Sequence, residues 1–147
     1  MSLIEVSDSN SWADAKKEWK FQRIEVKNTS CVCGTHINKN VVVFNSSNGK
    51  EVVIGQNCAY NFMNMHFRHI FRELTKLKKY LKKRTDSDAI QFYLGQGIID
   101  LTEFNFLTKF KNTMYKHLSD IDLAERVRIH KKILKHYDII PDYLQRA

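Results

Sequence analysis

Between Asn57 and Arg84, apolar residues recur at helical intervals. Met63, Phe67, Ile70, Leu74, Leu77 and Leu81 step by 4, 3, 4, 3 and 4 positions, with no proline or glycine between them. That spacing predicts one long amphipathic helix with a continuous apolar seam. Upstream the period changes. Phe21 to Lys27 alternates, with Phe21, Arg23 and Glu25 opposed to Gln22, Ile24 and Val26, as in a half-buried strand. Asn40 to Asn45 and Lys50 to Ile54 read as two more strands, joined by the hairpin signal Asn48-Gly49. Ahead of them, Ser11 to Lys20 predicts a short helix with Trp12, Ala15 and Trp19 on one face and Ser11 and Asp14 at its start.

Downstream, Asp86-Ser87-Asp88 opens a helix through about Leu94, closed by Gly95 and Gly97. Thr102 with Glu103 starts another, and Ser119 with Asp122 a third that reaches Tyr137. Pro141 opens a last helical turn ending in Leu144. The expected class is α+β: a small β-hairpin module, which Cys31 and Cys33 at one end and Cys58 at the other mark as zinc-stapled, then a long basic helix and a C-terminal helical bundle. At 147 residues the chain is expected to be one compact domain, 1–147, with the hairpin module at about 20–65 and the helical part at 57–147. The best internal boundary lies near Thr85, with both parts sharing one core.

Composition narrows the class further. A hydrophobic share of 43% and an aromatic share of 12% are enough for a real core. No apolar run approaches the roughly 18 residues of a membrane span, and Met1 to Ser11 has no apolar leader region. The expectation is a soluble, cytoplasmic protein without a membrane partner, in a compartment that keeps thiols reduced. The net charge of +8 favours phosphate-bearing or acidic partners. Lysine outnumbers arginine 17 to 7 and asparagine occurs 11 times, a bias that points to an A+T-rich, viral or phage genome.

The candidate chemistry is a thiol cluster. All three cysteines fall in Cys31-Val-Cys33-Gly-Thr-His36 and Cys58, at the two ends of the hairpin stretch. Thiolates and imidazole are the donors of tetrahedral zinc, and Cys31, Cys33, His36 and Cys58 make a complete Cys₃His set. Gly34 can take the positive φ of a tight metal turn, and Cys58 lies where a helix N-terminus favours a thiolate. His66 and His69 compete for the fourth place. His66, however, lies about 12 Å along the helix from Cys58 at roughly 1.5 Å per residue, too far for one ion. The alternatives are three buried thiols filling space and, more remotely, a redox or catalytic thiol.

The run from Cys31 to Ile37, with Val43-Phe44-Asn45, Asn48-Gly49, Gly55-Gln56-Asn57-Cys58 and Phe62, resembles the knuckle, hairpin and helix of treble-clef zinc fingers. It is also similar to small zinc-module proteins of bacteriophages and mobile elements. The likeness covers about residues 20–65 and implies zinc as cofactor. It implies no single function, because such modules bind nucleic acid, dock proteins or, in one branch, cleave nucleic acid. Treble clefs present a second pair of ligands at the helix start, where only Cys58 is found here.

The second candidate is a charged stripe. Arg68, Arg72, Lys76, Lys78, Lys79, Lys82, Lys83 and Arg84 face a single acid, Glu73. Arg68, Arg72, Lys76, Lys79 and Lys83 share one helical face that can follow a phosphate backbone, with Phe71 and Tyr80 as stacking residues. A further group, Arg126, Arg128, His130, Lys131, Lys132 and Lys135, would add to it. The plain alternative is a solvated helix face. No paired carboxylates, phosphate loop or nucleophile elbow accompany the stripe, so no enzyme is expected. The sequence thus leads to a zinc-stabilised binder of nucleic acid, DNA or RNA, or of a nucleoprotein assembly. The alternative is an inhibitor or adaptor that docks its basic face on an acidic surface of a host protein.

Overall fold

Trp12–Glu18 forms helix α1, and the chain passes from it directly into strand β1 (Trp19–Glu25). In the computed structural model, which describes residues 3–145, β1 pairs antiparallel with β4 (Asn40–Asn45), and β4 turns back into β5 (Glu51–Gly55). The sheet order is β1-β4-β5. Gly49 takes the left-handed φ of +74° that its turn requires. Val41, Val42 and Val43 are fully buried, on both faces of the central strand. A second, two-stranded sheet pairs β2 (Thr29–Ser30) with β3 (His36–Ile37), and its connection carries Cys31 and Cys33.

A buried carboxylate ties this region together. Glu18 is 7% exposed and accepts hydrogen bonds from the Asp8 and Ser9 amides and from Asn45 Nδ2. The Ser9 hydroxyl first, then Asn45 and the Asp8 amide, hold its pKa down to about 2. Asn45 Oδ1 in turn accepts from the Ser47 and Asn48 amides at the hairpin turn.

Helix α2 (Gln56–Met63) follows β5 and then stops. The long helix expected from Asn57 to Arg84 is therefore two helices, α2 and α3 (Arg68–Lys79). Asn64 sits in the left-handed region at φ 53°, and the Met65 amide reaches back to the Ala59 carbonyl at 3.0 Å, a Schellman-type stop. Asparagine is the residue after glycine that best tolerates this position. The apolar seam is split with it. Met63 is buried in α2 and Phe67 stacks on Phe21 at 4.5 Å, whereas Ile70, Leu74 and Leu77 form the buried face of α3.

The chain divides into two compact units, one ending at Arg68 and the other beginning at His69. The second unit continues with α4 (Ser87–Gly95), α5 (Leu101–Lys109), α6 (Asp120–His136) and the short α7 (Asp142–Gln145). Asp86, Asp100 and Ser119 cap α4, α5 and α6 through their side chains. Asp100 and Glu103 form a reciprocal capping box, so α5 starts at Leu101. Ile90, Tyr93, Leu107, Ile129, Ile133 and Leu134 line its interior. Thr85 lies inside this unit, 3% exposed. Among the described residues the architecture is α+β, and no helix is long and apolar enough to cross a membrane.

Candidate metal centre and basic surface

Three segments bring the thiols together. Cys31 and Cys33 sit on the β2–β3 turn, where the Gly34 amide donates to the Cys31 carbonyl at 2.8 Å and Gly34 takes φ +96°. The Cys31 amide donates to the Thr35 carbonyl at 2.8 Å, and the Val32 amide bonds the Val53 carbonyl of β5 at 3.0 Å, which fixes the turn against the hairpin. Cys58 arrives on the first turn of α2. Its Sγ lies 3.7 Å from that of Cys31 and 3.9 Å from that of Cys33. All three sulfurs are within 4.8 Å of one another.

These separations exclude a disulfide, whose sulfurs stand about 2.05 Å apart. They do match a metal site. Ligands at about 2.3 Å from a tetrahedral zinc are roughly 3.8 Å from each other. The Gly55 amide points at Cys31 Sγ from 3.4 Å, and the Thr35 hydroxyl lies 3.4 Å from Cys33 Sγ. The contact with Thr35 does most to lower the Cys33 pKa, to about 6. Burial, and then Cys31, push the Cys58 thiol up to about 12. Three thiolates this close repel one another, and a cation is what stabilises them together. The cluster could hold a metal ion.

His36 is placed differently from the thiols. It starts β3 opposite Ser30, is exposed, and borders the same cavity of about 380 Å³ as the three cysteines, but it lies outside the sulfur cluster. His66 lies in the link between α2 and α3, where Nε2 meets Asn64 Oδ1 at 3.0 Å and the ring packs edge-on against Tyr60.

The basic stripe is shorter than the helical repeat predicts. Arg68, Arg72, Lys76 and Lys79 do share a face of α3, but the helix ends at Lys79. The Leu81 carbonyl accepts from His130 Nδ1 at 2.6 Å and the Lys82 carbonyl from Arg126 Nη1 at 3.1 Å, so side chains of α6 take over carbonyls beyond the helix end. Lys82, Lys83 and Arg84 therefore lie on a turn, exposed, with Lys83 Nζ 4.1 Å from the Tyr80 ring centroid. Lys76 and Lys78 are partly neutralised by Glu73 at 3.6 Å and Asp142 at 3.8 Å. Phe71 is 2% exposed and forms core, which leaves Tyr80, 52% exposed, as the stacking candidate.

Most of the second basic group is buried or paired. Arg126 is buried and donates to the carbonyls of Lys82, Phe110 and Thr113. His130 is fully buried as well. Arg128 and Lys132 both pair with the buried Glu103, at 3.0 and 2.6 Å. Lys131 and Lys135 of that group are exposed and have no acidic partner among the described residues. Charge counting along a helix does not distinguish a solvated arginine from one that satisfies backbone carbonyls.

Comparison with known protein families, with curated proteins and with solved structures finds no match for this chain.

Proposed function

We propose that this is a zinc-stabilised protein that binds nucleic acid through α3 and the turn that follows it. Zinc is held by Cys31, Cys33 and Cys58, with His36 turning in from the cavity rim as fourth ligand. The observation that carries the metal half is the sulfur spacing of 3.7 and 3.9 Å, which fits a tetrahedral edge. Support for the binding half comes from the exposed run Arg72, Lys79, Lys82, Lys83 and Arg84 beside the exposed ring of Tyr80. Cations that follow a phosphate backbone and an aromatic that stacks on a base are the two elements of strand binding without sequence readout.

Binding of generic single- and double-stranded DNA and RNA, titrated against salt, tests the reading. Affinity should fall steeply with ionic strength, and Lys79, Lys82 and Lys83 changed together to glutamate should abolish it with the circular dichroism unchanged. Salt-insensitive binding, or none with a stable acidic protein partner instead, would favour an adaptor that docks through the same face.

A further inference from the structure

We propose that His69, Glu73 and Asp86 form a second divalent-cation site, built of one imidazole and two carboxylates and suited to a first-row transition metal such as Mn²⁺, Fe²⁺ or Zn²⁺. It goes beyond the function proposed above, and no cysteine is among its donors.

His69 and Glu73 are four residues apart on α3 and so share a face. Asp86 comes from the start of α4, where its Oδ1 accepts the Ala89 amide at 3.0 Å while its Oδ2 meets His69 Nε2. The cap fixes the carboxylate and leaves its second oxygen turned to the imidazole. One donor atom from each of the three residues lies within 4.8 Å of the others.

Glu73 supplies the independent observation. It is 6% exposed, and its Oε2 is buried with no hydrogen-bond partner. Lys76 Nζ stands 3.6 Å from that oxygen, close enough for attraction but not for a hydrogen bond. A buried carboxylate left in this state is costly unless it is neutralised or coordinates a cation. Tyr93, fully buried on α4, also has a hydroxyl without a partner. Burial first, then the charges of Tyr137, Glu73 and Asp86, drive its pKa upward.

One side of the trio is open. The side chains of His69 and Asp86 are 41% and 43% exposed, which provides an entry path and room for water ligands. Three protein donors with free positions is the pattern of an exchangeable or reactive metal rather than of a closed structural one. Calcium asks for six to eight oxygens, and soft cations ask for thiolates, so neither fits this set.

The test is a Mn²⁺ titration of the full chain with isotope-labelled histidine, following the ring resonances by NMR. Mn²⁺ prefers oxygen and nitrogen donors over thiolates. The expected result is saturable broadening centred on His69, at one ion per chain and competed by Zn²⁺. Glu73→Gln and Asp86→Asn should each weaken Mn²⁺ binding at least about tenfold, and Cys33→Ser should leave it unchanged. Sharp His69 resonances at saturating Mn²⁺ overturn the proposal, as does broadening that depends on Cys33 and not on Glu73 or Asp86. The wild-type spectrum decides even if a variant fails to fold.

Discussion

The two units of this chain reach stability by different means. The first buries Trp19, Ile24, Ile54 and Met63 with the smaller Ala15, Val41, Val42, Val43 and Ala59, together with polar Glu18, Asn40 and Asn45. The second buries Phe71, Leu74, Leu77, Ile90, Tyr93, Ile129, Ile133 and Leu134. Buried apolar area sets the main favourable term in folding, and below roughly 70–80 residues one core supplies only about 3–5 kcal/mol. The first unit adds a thiol cluster to its core, at the place where β2, β5 and α2 converge. The second unit contains no cysteine. Its polar interior, Arg126 and His130, closes off backbone carbonyls instead.

The contrast breaks most visibly at Cys58. Cys58→Ser should unfold the first unit, since a structural zinc contributes on the order of 10 kcal/mol of apparent folding energy. Hydrogen exchange would show loss of protection in β4 and β5 while α6 keeps its own; intact protection in β4 would defeat the idea. The reverse experiment is Leu77→Ala, in a fully buried position of α3. It should cost about 2–5 kcal/mol, and the loss should be the same with and without chelator.

A smaller effect separates the units by pH. His130 is fully buried, and burial lowers its pKa from 6.5 to about 4. Its Nδ1 donates to the Leu81 carbonyl, so Nε2 accepts the Thr85 hydroxyl and the ring is neutral. The unfolded chain binds a proton there below pH 6.5 and the folded one does not. Stability from this group is therefore full above pH 6.5 and is lost as pH falls toward 4, by roughly 3 kcal/mol in total. His130→Gln should flatten the pH dependence of unfolding in that window, measured by denaturant titration at each pH.

Much of the local structure was legible in the chain because it is encoded locally. Asn48-Gly49, the alternation in β1, and the caps at Asp86 and Ser119 each carry their own signal. What escaped depends on contacts between distant residues or on a stop that apolar spacing hides. The seam from Met63 to Leu81 keeps helical rhythm across the left-handed Asn64, and only that asparagine marks the break. Arg126 and His130 look like surface charge until the carbonyls of Leu81 and Lys82 are placed beside them. The thiol cluster was readable because cysteine is rare and chemically distinctive; the trio of His69, Glu73 and Asp86 was not, because Asp86, the cap of α4, meets His69 of α3 only in the folded chain.

The central claim is that a metal ion joins Cys31, Cys33 and Cys58. Elemental analysis of the purified chain, with thiol titration before and after chelation, tests it most directly. The account predicts one zinc per chain and three thiols that become reactive only when it is removed. A metal-free chain whose β4 and β5 remain fully protected would contradict it.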